Sequence, residues 1–163
     1  MAVGQRDPVV TLYRTLLVCA AVGIVILAAG LAEFFYFEPF AQSSGLHARI
    51  TGVYAYDPVT HQTSGPDRST FLRTEQFAAT VDWSTLPANI TVQAIWYDSF
   101  SNVVGQVGPA KPADLANQAT VPVELPQGLS YHLPGQYVFA VERDQGGQPV
   151  EVLARRLVEV ERT

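Results

Sequence analysis

Eighteen consecutive residues, Thr15 to Ala32, carry no charged side chain, and the apolar character runs on through Phe37 with only Glu33 interrupting it. No other feature of the chain limits its fold so strongly. Leu12 to Phe37 is 26 residues. As a helix that length reaches about 39 Å, enough to cross a ~30 Å hydrocarbon core with some tilt. Asp7 suits an N-cap and Pro8 the first helical position, where a missing N–H costs nothing. Pro39 pushes Glu38 out of the α region and marks the far end. The expected parts are an N-terminal tail over residues 1–7, a transmembrane helix over 8–38, a tether over 39–45 and a separate domain over 46–163.

The flanks set an orientation. Arg6 and Arg14 lie at or before the start of the stretch, and no Lys or Arg follows until Arg49. The positive-inside rule then puts the N-terminus in the cytoplasm and the C-terminal domain on the periplasmic or extracellular side of the plasma membrane. Tyr13 at one end, and Phe34, Phe35, Tyr36, Phe37 and Phe40 at the other, suit interfacial belts. Gly30-Leu31-Ala32 also fits a leader cleavage site. The apolar stretch is long for a leader and the chain begins with Met1, so a retained anchor is expected. Ala20, Gly23, Leu27 and Gly30 follow a 3-4-3 spacing on one helix face, and Ala28 and Ala32 form a small-xxx-small pair. Such faces let helix backbones approach closely in lipid, although Ala and Gly are common in membrane helices in any case. The partners expected are a lipid bilayer and other transmembrane subunits.

Beyond Ser43 the period changes to two. Leu46, Ala48, Ile50, Gly52 and Tyr54 alternate with polar residues, as do Phe77 to Trp83, Ile90 to Trp96, Ala119 to Leu125 and Tyr137 to Val141. Val150 to Val160 reads as a last strand with a slip near Arg155-Arg156, and Val103 to Val107 as a short one. Six or seven antiparallel strands without an amphipathic helix predict a β-sandwich. Gly146-Gly147 predicts a hairpin between the last two strands. Asp57 to Thr74 and Gly108 to Gln118 are expected as long loops. With Trp96 on a third strand and Tyr137 opening the penultimate one, the region Leu46 to Glu161 resembles immunoglobulin-like and fibronectin-III-like domains. It lacks their paired cysteines, so the resemblance implies architecture alone.

A membrane helix followed by an outer β-domain is also the layout of oxidase subunit II. The run Pro134 to Val141 is similar to the strand that leads into a cupredoxin copper ligand. Val141 stands where the cysteine would be, Cys19 is the one cysteine and Met1 the one methionine. Copper chemistry of that kind needs thiolate, imidazole and usually thioether ligands. A degenerate cupredoxin-like sandwich without metal is the alternative fold.

Composition narrows the function. Charged residues make up 15% and hydrophobic ones 48%, which is opposite to a disordered chain. Ten Lys and Arg against 15 acids leave no basic stripe for nucleic acid. His47, His61 and His132 form no close pair. Asp57, His61 and Asp67 share one loop and read as solvated polars rather than metal ligands. Glu159 and Glu161 lie on one strand face with Arg155 and read as a solvated edge. No nucleophile elbow or phosphate loop is present. No catalytic, cofactor-binding or metal residues are therefore assigned, and the chain is not expected to be an enzyme. Trp83 and Trp96 fall on apolar phases and are expected in the core. Tyr97, Phe100 and Tyr131 fall off phase or in loops and are the candidate partner contacts.

The expected function is a non-catalytic, single-pass accessory subunit of a larger membrane complex, respiratory or photosynthetic. The alternatives are an extracytoplasmic binding module for a peptide, glycan or protein, and an assembly or metal-delivery factor for an oxidase.

Overall fold

Residues Pro8–Tyr36 form one α-helix of 29 residues, α1. The computed structural model describes the backbone of residues 8–36 and residues 44–162, with helix side chains described over 12–27. The chain divides into two units, Met1–Ala41 and Gln42–Thr163. The tail 1–7 and most of the tether lie outside the described residues, as do the side chains of Gly30, Ala28, Ala32, Glu33 and the aromatic run after it. The 16 residues with described side chains span about 24 Å. Among the described residues no helix is long and apolar enough to cross a membrane.

The described residues of the second unit form nine strands in two sheets. They are β1 (Arg49–Asp57), β2 (Gln62–Ser64), β3 (Thr70–Leu72), β4 (Phe77–Asp82), β5 (Thr91–Tyr97), β6 (Val103–Ala110), β7 (Thr120–Pro122), β8 (Gly135–Gln145) and β9 (Gln148–Glu161). One sheet has the order β2-β1-β4-β7 and the other β3-β9-β8-β5-β6. Every pairing is antiparallel except β3 with β9. This is the arrangement of a β-sandwich, with one apolar face of each sheet turned inward.

The interior follows from alternation. Phe77, Ala79 and Val81 on β4 face Val92, Ala94 and Trp96 on β5 and Tyr137, Phe139 and Val141 on β8, all buried in one cluster. Phe77 is the hub of the aromatic part. Its ring stacks on Phe71 at 4.7 Å and meets Trp96 at 5.5 Å and Tyr137 at 5.9 Å, both edge-on. Trp83 is buried in the 3-10 turn Trp83–Thr85, which Asp82 caps by accepting from the Ser84 amide at 3.1 Å. Gly146 and Gly147, at φ +67° and +84°, make the tight hairpin between β8 and β9. Positive φ at both positions is what a type I′ turn demands.

The architecture departs from the expected strand pattern at five places. Nine strands replace six or seven, because β2 and β3 lie inside the stretch expected as one long loop. Three residues are too few to display a period. In β1 the pairs Ile50↔Val81 and Gly52↔Thr80 leave Thr51 as an extra residue. That bulge reverses the phase, so Val53, opposite Ala79, enters the core in place of Gly52 and Tyr54. In β9 the slip lies upstream of Arg155-Arg156: Val141 pairs with Ala154 and Glu142 with Val152, leaving Leu153 as the extra, buried residue. Finally, β7 ends at Pro122, and Val123 continues as a crossing segment. The Val123 amide donates to Phe77 O at 3.0 Å and the Glu124 amide to Val104 O at 2.6 Å, so the chain passes from one sheet to the other. The opposite edge has a similar bridge, Ala48 N to Leu153 O at 3.2 Å. The stretch after Gly108 is also less of a loop than expected. β6 runs to Ala110, and turns from Lys111 to Gln118 drop Leu115 into the core.

Two side-chain anchors fix the irregular segments. Asp67 accepts the Val53 amide at 2.8 Å and grips the Arg156 guanidinium with both carboxylate oxygens at 3.0 Å. It thereby ties the connection between the sheets to both. At the start of β8 the Tyr137 hydroxyl donates to Leu133 O at 3.0 Å, four residues upstream. Tyr137→Phe keeps the ring and leaves that carbonyl without its donor. The expected loss is about 1 kcal/mol, since a net hydrogen bond contributes roughly 0.5–1.5 kcal/mol. Urea unfolding of the two forms measures it, and a change within error would mean that water replaces the hydroxyl.

Candidate functional site

The described helix side chains are exposed on every side. Leu12, Tyr13, Leu16, Leu17, Val18, Val22, Ile24, Val25, Ile26 and Leu27 are distributed around its circumference, with Arg14 and Thr15 the polar residues near its N-terminal side. Ala20, Gly23 and Leu27 are likewise exposed, and a Cβ added at Gly23 meets no atom within 4 Å. Gly30, the fourth member of that face, lies outside the described side chains. Cys19 is free and exposed.

In the sandwich the three candidate aromatics occupy different settings. Phe100 is 72% exposed at the tip of the β5–β6 connection. Asp98 builds that tip. Its carboxylate accepts the Phe100 and Asn102 amides at 2.8 Å and the Asn102 side-chain amide at 2.9 Å. Burial alone would raise the Asp98 carboxyl, but the bonds from Asn102 and Phe100 outweigh it and hold the group below the usual carboxylate range. The turn is thus fixed by an ionised cap, with Ser101 at φ +64°, and it presents Phe100 outward.

Tyr97 is half-buried and engaged. Its hydroxyl donates to Glu142 Oε1 at 3.2 Å, while Gln93 Nε2 donates to Glu142 Oε2 at 3.1 Å. Burial first, and then the adjacent Glu142 charge, push the Tyr97 hydroxyl up to about 12. It stays protonated and acts as a donor throughout the physiological range. Tyr131 lies under the Arg73 guanidinium, 3.8 Å from its ring centroid, an arrangement that favours a cation over the ring face.

Sequence reasoning missed the row to which Tyr97 belongs. On the outer face of the five-stranded sheet Val138 pairs with both Leu157 and Tyr97, and Tyr97 pairs with Val103. Leu157 is 51% and Val103 53% exposed. Four apolar residues from four strands therefore lie side by side. The signal is present in β9, where Leu157 lies out of phase with Val158, but the other three are visible only once the register is known. The next rows hold Ile95 opposite Ala140 and Gln93 opposite Glu142, all buried although they lie on the sheet's outer face.

The polar candidates separate. The Asp57 carboxylate accepts the Val59 amide at 2.8 Å and the Thr60 hydroxyl at 2.9 Å, and these bonds lower its pKa. His61 Nδ1 lies 2.9 Å from the Tyr56 hydroxyl, and Asp67 is held by Arg156. Among the described residues no three His, Cys, Asp or Glu side chains converge. Val141, at the position the cupredoxin resemblance assigns to cysteine, is a fully buried core residue opposite Ala94. Comparison with protein-family models, with curated proteins and with solved structures finds no match for this chain.

Proposed function

We propose that the chain is a single-pass accessory subunit of a larger membrane complex, held by α1 and presenting an immunoglobulin-like sandwich on the outer side. The observation that carries this reading is the helix: from Leu16 to Leu27 its described side chains are apolar all round and exposed, with Arg14 and Thr15 confined to its N-terminal side. A helix without a polar face needs an apolar surrounding, either lipid or other helices. In sequence the apolar stretch extends past Leu27 to Phe37, which supplies the length a span requires. The immunoglobulin-like assignment rests on three features. These are β3 running parallel to β9 at the sheet edge, Trp96 buried on β5, and the Tyr137 hydroxyl bonded back to Leu133 as in a tyrosine corner. A respiratory or photosynthetic host is favoured because such assemblies commonly carry small single-pass subunits.

A second reading, an extracytoplasmic binding module, draws on Phe100, since a rigidly presented exposed aromatic suits the centre of an interface. Extraction in mild detergent followed by size measurement separates the two. The first reading expects the chain in a large stoichiometric assembly, and a small free species would overturn it. In the same preparation Gly23→Leu is expected to reduce partner recovery about ten-fold, since close helix contacts contribute ~1–2 kcal/mol. Undiminished recovery would remove the helix face from the interface.

A further inference from the structure

His132 is fully buried, and neither ring nitrogen has a hydrogen-bond partner. It lies in the connection between β7 and β8 and plugs one end of the aromatic cluster. Its ring is 5.0 Å from Phe77 on β4 and 6.1 Å from Tyr137 on β8. Its backbone amide donates to Arg73 O at 2.7 Å and so fastens the connection to the segment between β3 and β4. Buried imidazole nitrogens without partners are rare, and such a group invites an explanation.

The surroundings oppose a charged ring. Two cations lie against rings at this end of the core. The Arg73 guanidinium sits over Tyr131, and the Arg68 guanidinium lies 4.4 Å from the Phe71 ring that stacks on Phe77. The carboxylates of the same end are committed elsewhere, Glu75 to Arg68 at 3.1 Å and Asp98 to its own turn. The Tyr137 hydroxyl is committed to Leu133, and burial raises its pKa, so it stays neutral. A proton on His132 therefore finds no acceptor inside and reaches water only if the connection moves outward.

We propose that His132 is an acid-released latch: protonation opens the connection around residues 126–134 and uncovers the ring faces of Phe77 and Tyr137, while the rest of the sandwich stays folded. The sign follows from linkage. Desolvation lowers the His132 pKa from 6.5 to about 4 in the closed form, so the open form binds more protons. Closure is at full strength above pH 6.5 and weakens as the pH falls toward 4.

Native-state hydrogen exchange on the full chain in detergent tests this, corrected for intrinsic rates. The opening constant read at the His132 amide should rise roughly 20-fold from pH 7 to pH 5, given those two pKa values. His132→Phe keeps an aromatic plug, along with His47 and His61, and should abolish the rise. A wild-type change below about three-fold, or a rise that persists in His132→Phe, overturns the latch. Should that variant not fold, NMR titration of the wild-type imidazole decides. A midpoint below 5 supports the proposal, and one near 6.5 overturns it, because the ring would then be hydrated.

Discussion

Trp96→Ala is expected to remove about 3–5 kcal/mol of stability, a large share of the 5–15 kcal/mol usual for a domain. The side chain is fully buried on β5, and its ring lies 4.9 Å from Phe139 on the neighbouring strand and 5.5 Å from Phe77 on the opposite sheet. Its indole N–H donates to Val121 O on β7 at 2.9 Å, so one residue joins the two sheets by packing and by a hydrogen bond. Truncation opens a cavity and also leaves the Val121 carbonyl without its donor. β7 is only three residues long and pairs with β4 alone, so it has little else to hold it. Urea unfolding followed by the fluorescence of the remaining Trp83 measures the loss. A value below about 2 kcal/mol would mean that the sheets collapse onto the space, contrary to the packing described.

Phe77→Ala is expected to cost a similar amount, about 3–5 kcal/mol, for a different reason. Phe77 lies against four other rings, those of Phe71, Trp96, His132 and Tyr137, and they come from three separate stretches of chain. Removing it unsupports the β3 edge and the β7–β8 connection together. Because Phe77 and Trp96 are in contact, the double variant should lose less than the sum of the two singles, with a coupling of roughly 0.5–3 kcal/mol. Strict additivity in the cycle would argue that the two rings do not share one cavity.

The parts of this architecture that could be read in the chain are the inward faces of the strands. Phe77-Ala79-Val81 on β4 and Tyr137-Phe139-Val141 on β8 show it by their spacing of two, although Ala78, Ala140 and Glu142 on the outward face are buried as well. Alternation fails where the backbone inserts a residue. Thr51 and Leu153 each shift the phase of a strand, and no local side-chain preference announces either bulge. It fails again where the sheet is buried on both sides. Gln93 and Glu142 satisfy one another, so their polarity marks partnership rather than exposure. Of the candidate contacts, Phe100 stands free as its loop position suggests, whereas Tyr97 is tied to Glu142 by a register no single strand reveals. No neighbouring residue in the sequence marks His132 as buried. Its burial arises from Arg73, Phe77 and Tyr137, which lie 59, 55 and 5 positions away in the chain.

The two backbone bridges at the rims of the sandwich have a consequence for association. An open sheet margin is a template onto which a foreign strand can add, the first step toward fibrils or domain exchange. Here the Ala48–Leu153 and Glu124–Val104 bonds occupy those margins in part, and of the outermost strands β2, β3 and β7 are three residues long and β6 eight. Growth by templated strand addition is thereby discouraged, and a neighbour is left to recognise side chains, not a backbone ladder.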